Sequence, residues 1–128
     1  MKLLGPVNVV SLTVTDLARA RAFYAVTLGL GEPWFDSEDM GWIEWGADGR
    51  NGNIAVTLPR DGSTGPGGGT TPVLQTPDAH ALHTELVRRG VRCDPPVGVP
   101  GLLTYCTFHD PDGNRLQAVG PPPPAPPS

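Results

Sequence analysis

All three tryptophans of this chain occur in one short segment, PWFDSEDMGWIEW, at residues 33–45. In a strand, successive side chains point to opposite faces, so Trp42 shares one face with Glu44. Ile43 and Trp45 then share the other face, and at most one of these two tryptophans packs under a helix. We therefore expect Trp42 to line a cavity or an interface, with ordinary core packing as the alternative.

Glu44 is the carboxylate that accompanies these rings. In an apolar environment it could have a raised pKa and act as a base. It could also contact a cationic ligand, or it could be a solvated carboxylate at the end of a strand. We treat Glu44 as a candidate catalytic residue.

A second set of polar side chains is predicted near FHDPDGNRLQAVG, residues 108–120. The DPDGN turn is expected to pair residue 109 with residue 115. Four side chains then share one sheet face: Tyr105, Thr107, His109 and Gln117.

Each of these four side chains has a structural and a functional interpretation. Tyr105 and Thr107 are candidates for ligand contact, with packing as the alternative for the tyrosine. Gln117 is either an interior amide bonded to a neighbouring strand or a ligand-recognition residue. His109 either lies at the end of its strand and forms a hydrogen bond with the turn, or acts as a general base.

The remaining histidines, His80 and His83, lie three residues apart on a predicted helix, a spacing that can bring two metal ligands together. That helix is expected to cover the opposite face of the sheet, and no third ligand lies nearby in the sequence. We interpret the two imidazoles as a solvated pair and predict no metal site there.

The composition excludes several classes of partner. The formal net charge is -4 with 9 Lys and Arg, which gives no basic surface for nucleic acid. No stretch approaches the roughly 18 apolar residues of a membrane helix, and no signal peptide is recognised at the start. With two cysteines and no secretion signal, we expect reduced thiols and a cytoplasmic location.

The chain contains an internal repeat. Predicted helices begin near Thr15 and Thr76 and end at Gly29 and Gly90, and both pairs are 61 residues apart (76 − 15 and 90 − 29). Either Thr15 or Asp16 is predicted to cap the first helix. The glycines of the NGN and DGN turns have the same offset (113 − 52). Three landmarks at one offset indicate a duplication.

Each half has the pattern strand, helix, then three strands, which predicts an α+β fold. In the second half the three strands are expected near VRCDPPV, LLTYCTFH and RLQAV. We expect two βαβββ modules whose curved, mostly antiparallel sheet surrounds a cavity, with the helices on the outer face. The predicted organisation is one domain over residues 1–120, followed by a disordered proline-rich tail at 121–128. Within the domain we place module one at 7–58, a linker at 59–69 and module two at 70–120.

Three motifs in this order, VTDLARARAFYAVTLGL, TELVRRGV and DPDGN, resemble the vicinal oxygen chelate superfamily. That superfamily includes glyoxalase I, extradiol dioxygenases and bleomycin resistance proteins. The resemblance covers residues 7–120 and is greatest to small bacterial glyoxalase-like members. It implies a cleft between modules, often across a homodimer, in which aromatic rings stack on flat ligands.

The resemblance also implies positions for metal ligands on the first and last strands of each module. These positions fall on Val9 and on Thr70 or Thr71 in the first strands, and on Val56 and Gln117 in the last strands. Valine cannot coordinate a metal, and hydroxyls and a neutral amide are weak ligands. We therefore predict no metal and no cofactor, and we count Val9, Val56 and Gln117 as ligand-binding positions.

Two functional hypotheses follow. The first is a metal-free binding protein that sequesters a small, partly apolar or aromatic molecule, as antibiotic-resistance relatives do. The second is a lyase or isomerase of the same superfamily with a non-standard or relocated active site, which would use groups such as Glu44 and His109. Whether the protein is an enzyme stays open at this point.

Overall fold

The computed structural model describes residues 3, 7–46, 52–59 and 65–124. The chain forms two compact units, Met1–Thr70 and Thr71–Ser128. Residues 60–64 of the predicted linker and residues 125–128 of the predicted tail lie outside the described residues. Within the described part of the chain, no helix is long and apolar enough to span a membrane.

Unit one contains a helix and a four-stranded sheet. Its elements are strand β1 (Val9–Thr13), helix α1 (Leu17–Ala22), and strands β2 (Phe35–Ser37), β3 (Trp42–Trp45) and β4 (Asn53–Thr57). The strand order is β1-β4-β3-β2, in which β1 and β4 are parallel and the other pairs are antiparallel. Strand β2 is therefore an edge strand within this sheet.

Unit two repeats the same plan. Its elements are strand β5 (Val73–Gln75), helix α2 (Ala79–Arg88), and strands β6 (Val97–Val99), β7 (Leu103–His109) and β8 (Arg115–Gly120). The order is β5-β8-β7-β6, again with one parallel pair, β5 and β8. The predicted α+β fold with two βαβββ modules is confirmed, and each module has its own mixed, mostly antiparallel sheet.

One strand is displaced from its predicted place. The segment VRCDPPV was expected to form a strand, but Cys93 makes only an isolated bridge with Phe108, and β6 begins at Val97. Pro95 and Pro96 lack the backbone N–H that a ladder needs, so the strand forms after them.

Both helices begin at an aspartate. The Asp16 carboxylate accepts a hydrogen bond from the Arg19 backbone N–H at 3.0 Å, and Asp78 accepts from His80 and Ala81 at 3.0 and 3.1 Å. These bonds satisfy N–H groups that have no partner within the helix. Asp16, one of the two predicted caps, is therefore the N-cap of α1.

The apolar face of each helix packs on its sheet. In unit one a buried stripe packs towards β3 and β4. It includes Leu17 and Ala20 of α1 and Tyr24 in the helical segment that follows. In unit two α2 packs towards β7 and β8. Four side chains of those strands are buried on the α2 side: Cys106, Phe108, Leu116 and Ala118.

The structural repeat has an offset of 62 residues rather than 61. The N-caps Asp16 and Asp78 are 62 apart (78 − 16). The Val14 N–H donates to the Thr57 carbonyl, and in unit two the Thr76 N–H donates to the Val119 carbonyl. The two donors are 62 residues apart (76 − 14), and so are the two acceptors (119 − 57). The predicted offset of 61 is wrong for the strands.

The difference arises inside the first helix. After Ala22 the helix continues as a π-helical segment, Phe23–Thr27, whereas α2 is α-helical as far as Arg88. A π-bulge accommodates one extra residue in a helix. The glycines that follow the helices, Gly29 and Gly90, are for this reason 61 apart although the N-caps are 62 apart.

Candidate functional site

The two tryptophans of strand β3 lie on opposite faces of the sheet, as predicted. Trp45 is 2% exposed, its ring lies 5.4 Å from the Tyr24 ring between centroids, and its indole N–H bonds the Gly31 carbonyl at 3.0 Å. Ile43, on the same face, is completely buried. Trp45 is thus a core residue beneath the first helix, and Trp42 is half-buried on the opposite face.

The Glu44 carboxylate accepts two hydrogen bonds. The Trp42 indole donates to Oε1 at 3.0 Å, and the Asn53 side-chain amide donates to Oε2 at 2.8 Å. The Trp34 side chain also interacts favourably with the charged form of this carboxyl. Glu44 is 6% exposed, so the predicted alternative of a solvated carboxylate is wrong.

These donors set the ionisation of Glu44. Burial alone would raise its pKa, because a carboxylate loses solvation more unfavourably when it is charged. Interactions with the side chains of Asn53, Trp34 and Trp42 stabilise the charged form more than burial destabilises it, and the net pKa of Glu44 lies below its ordinary value. The prediction of a base with a raised pKa is therefore wrong, and Glu44 is an anion at neutral pH.

Glu44 lies in the wall of a concave site that we call the aromatic groove. The groove has a volume of about 530 Å³ and is lined by Trp34, Phe35, Met40, Trp42 and Glu44. Trp34 and Phe35 contact each other with ring centroids 5.7 Å apart. Trp34 is 41% exposed and Met40 is 56% exposed, so an apolar surface here is accessible.

The hairpin between β2 and β3 positions this surface. Phe35 pairs with Glu44 across the two strands, so both side chains lie on the face opposite the helix. In the turn, the Met40 N–H bonds the Ser37 hydroxyl at 3.1 Å, and Gly41 has φ +63°, a conformation that favours glycine. This turn holds Met40 at the end of the groove.

Sequence reasoning did not assign Trp34, Phe35, Met40 or Asn53 to the site. The two aromatic residues were visible in the tryptophan-rich segment, but a short edge strand gives too little periodicity to orient them. Asn53 was recognised only as part of a turn. Its role depends on the pairing of β3 with β4, which places its amide against Glu44.

In unit two, the structure places the four predicted side chains on one face. Thr107 pairs directly with Gln117, Tyr105 pairs with Val119, and His109 pairs with Arg115. The Gln117 amide donates a hydrogen bond to the Thr107 hydroxyl oxygen at 3.1 Å. Gln117 is thus an amide bonded to a neighbouring strand, which is one of its two predicted interpretations.

The hydrogen bond predicted between His109 and the turn is not made by its Nδ1 atom. Its Nδ1 is buried and has no hydrogen-bond partner among the described residues, so the structure does not show the expected bond from this atom to the turn. The turn is held instead by Asp110, whose carboxylate accepts bonds from Asn114 N–H and Asn114 Nδ2 at 2.8 Å each.

The two valines have different positions. Val9 pairs with Asn53 and lies on the same sheet face as Glu44. Val56 pairs with Ile43 on the helix-packed face and is completely buried. Its predicted place as a ligand-binding position is wrong, because a one-residue shift in register moves a side chain to the other face.

With the offset of 62, the counterpart of Gln117 is Ala55 (117 − 62). Ser11 pairs with Ala55 in unit one, and Val73 pairs with Gln117 in unit two, which gives the same correspondence. Val9, Ala55 and the amide of Gln117 do not form a donor set that fits a divalent cation.

The other histidines are arranged differently from the expected solvated pair. His83 Nδ1 lies 3.3 Å from Cys93 Sγ and is half-buried, whereas His80 is exposed. Burial, followed by the neighbouring Cys106, raises the pKa of Cys93 to about 12. Within the part of the chain that the structure describes, no three His, Cys, Asp or Glu side chains are arranged to hold a metal ion.

Many solved structures share this fold. TnmS3, an antibiotic binding protein from Streptomyces sp. CB03234, is 26% identical with a TM-score of 0.77, over 94% of this chain and 99% of that chain. A superfamily member from Sphaerobacter thermophilus DSM 20745 is 30% identical with a TM-score of 0.74, over 93% and 99%. A glyoxalase/bleomycin resistance protein from Catenulispora acidiphila DSM 44928, at 22% identity, TM-score 0.66 and coverage of 92% and 100%, shares the fold.

A comparison with curated proteins gives no match. Residues 7–118 match the family model for the Glyoxalase/Bleomycin resistance protein/Dioxygenase superfamily. This match includes both helices, all eight strands except the last two residues of β8, and the aromatic groove. The chain therefore belongs to the glyoxalase/bleomycin resistance protein/dioxygenase superfamily.

Proposed function

We propose that this protein binds a small, partly apolar or aromatic molecule in the aromatic groove and does so without a metal ion. The observation that carries the proposal is the groove itself, in which three aromatic rings and a thioether surround one ordered carboxylate. Ligand sites are typically concave and mostly apolar, with a few polar groups that determine orientation. The groove has this composition.

The similarity to TnmS3 supports the same conclusion. That protein binds an antibiotic, and the two chains are 26% identical over nearly their full lengths. We propose that this chain also sequesters its ligand, and that the ligand is an antibiotic or a related flat natural product. Sequestration needs affinity and no chemical step, which agrees with a site whose carboxylate is held by hydrogen bonds from Trp42 and Asn53.

Further contacts are proposed for residues outside the groove. Val9 lies on the Glu44 face of unit one, and Tyr105, Thr107 and Gln117 share one face of unit two. We propose these four residues as additional ligand contacts. The oligomer is proposed to be a homodimer in the cytoplasm, and light scattering during size-exclusion chromatography would test its mass.

The metal-free part of the proposal rests on donor chemistry at the positions that the superfamily implies for ligands. Elemental analysis of the purified protein is expected to find no stoichiometric zinc, nickel, manganese or iron. A chelator is expected to leave the melting temperature unchanged. One bound metal ion per chain would contradict this part of the proposal.

Ligand binding is tested by titrating tryptophan fluorescence with a panel of flat aromatic antibiotics. We expect saturable quenching that is weakened by Trp42→Ala, because this substitution removes one wall of the groove. Leu102→Ala is a matched control, since Leu102 is 68% exposed and lies in the other unit. Quenching that Trp42→Ala leaves unchanged would place the ligand elsewhere.

A further inference from the structure

We infer that the aromatic groove selects ligands that carry a positive charge, namely an alkylammonium or quaternary ammonium group on an aromatic or apolar body, and that Glu44 is their anionic contact. This inference rests on the proposed function, because it names the chemical class of the molecule bound there.

The charge on Glu44 is stabilised but not neutralised. Its partners, the Trp42 indole, the Asn53 amide and the Trp34 side chain, are all uncharged groups. The hydrogen bonds from Trp42 and Asn53 occupy two of the roughly four acceptor positions of a carboxylate. The anion therefore keeps its full charge in a position that is 6% exposed, with capacity for a further contact.

The aromatic rings add to this attraction. Trp34, Phe35 and Trp42 line the same groove as the carboxylate. The face of an aromatic ring carries negative partial charge and attracts a cation within about 6 Å of its centroid, with tryptophan giving the strongest interaction. The combination of ring surfaces and a carboxylate is therefore complementary to an organic cation.

The charges of the surrounding segment agree with this. Residues 33–45 contain four carboxylates and neither lysine nor arginine. Two of them, Asp36 and Glu38, bond Arg21, with Asp36 on the helix-packed face of the sheet. Glu44 is on the opposite face, with neutral partners, so the groove side of this hairpin is anionic.

A neutral or anionic ligand would fit the groove less well. A neutral molecule without a hydrogen-bond donor would remove water from Glu44 without replacing its solvation, and an anion would be repelled. A cation regains by direct contact what the carboxylate loses when the ligand covers it. The groove should accordingly discriminate between molecules of the same shape and different charge.

The test uses two probes of nearly equal shape, phenyltrimethylammonium and its neutral carbon isostere tert-butylbenzene. Binding is followed by NMR through the indole N–H signals of ¹⁵N-labelled tryptophan. We expect the cation to shift the Trp34 and Trp42 signals and to bind about tenfold or more tightly than the neutral probe. The Trp45 signal should not move, since that indole bonds Gly31 in the core.

Glu44→Gln removes the charge with little change in shape, and it should reduce the preference for the cation to about twofold or less. Asp39→Asn is the matched control, because it removes one negative charge from the adjacent exposed turn and should keep the preference. If Glu44→Gln does not fold, the wild-type protein is titrated with the same cation from pH 7 to pH 3. The affinity should then fall as Glu44 is protonated, because the charge of the probe does not depend on pH.

Equal affinity for the two probes in the wild-type protein would overturn the inference and leave the proposed binding function standing. A charge preference that persists in folded Glu44→Gln would also overturn it. If neither probe nor any aromatic compound of the fluorescence panel shifts the Trp34 or Trp42 signals, the proposed function itself fails. The outcomes therefore separate the ligand class from the existence of the site.

Discussion

The indole N–H of Trp42 donates a hydrogen bond to Oε1 of Glu44 at 3.0 Å, across two residues of the same strand. Alternate residues of a strand share a face, so this bond closes within β3 and orients the ring and the carboxylate together. Asn53 holds the other carboxylate oxygen from the neighbouring strand at 2.8 Å. The carboxylate of the groove is therefore preorganised for ligand binding.

Removing the Glu44 carboxylate should destabilise the protein. Glu44→Ala leaves the buried Asn53 amide and the half-buried Trp42 indole N–H without this acceptor, and unsatisfied buried donors are costly. We expect the free energy of unfolding in urea to fall by about 2–4 kcal/mol. Asp39→Ala, in the exposed turn, should change it by about 0.5 kcal/mol or less. Equal effects of the two substitutions would contradict this account of Glu44.

The contribution of Glu44 should depend on pH. Its pKa in the folded protein lies below its ordinary value, so the stabilisation is complete above the unfolded pKa of about 4.3 and is lost as pH falls through the folded pKa. The stability difference between wild type and Glu44→Gln should be constant from pH 7 to about pH 5 and should shrink below that. Urea unfolding of both proteins across this range measures it. A difference that grows towards low pH would show that the shift has the opposite sign.

The two tryptophans of β3 should respond differently to truncation. Trp45→Ala removes a ring that is 2% exposed and packed on Tyr24, and it should cost about 3–5 kcal/mol. Trp42→Ala removes a half-buried ring of the groove and should cost about 1–2 kcal/mol. Urea unfolding of the two variants compares them directly. A larger loss from Trp42→Ala would contradict the assignment of Trp45 to the core.

The hydrogen bond between Gln117 and Thr107 should appear as a coupling energy. In a double-mutant cycle of Gln117→Leu and Thr107→Val, we expect an interaction of about 0.5–1.5 kcal/mol, the usual net value of one hydrogen bond. The cycle is measured from urea unfolding of the four proteins. Additive effects would show that the two side chains do not stabilise the fold through each other.

Local patterns predicted the parts of the site that depend on neighbouring residues. Period-two alternation separated Trp42 from Trp45 and grouped Tyr105, Thr107 and His109 with Gln117, and the register of β7 with β8 shows the same grouping. The capping aspartate of α1 was also among the predicted caps. Such features are readable because they involve residues close together in the chain.

The prediction for Val56 failed because it required an alignment of two distant segments. Spacing between glycines gave an offset of 61, but the π-helical segment Phe23–Thr27 and the turn before β8 each change the count by one residue. In a strand a shift of one residue exchanges the two faces. Only the pairing of strands shows that Ala55, and not Val56, corresponds to Gln117.

The sequence by itself determined the family, the α+β class, the order of elements and which residues of one strand or hairpin share a face, because periodicity, caps and turn residues act locally. The tertiary structure decided the state of Glu44. Its burial would raise its pKa, and the side chains that stabilise its charge come from β3, from β4 and from the residue before β2. Strand pairing brings these segments together, and the balance between lost solvation and gained hydrogen bonds exists only after they meet.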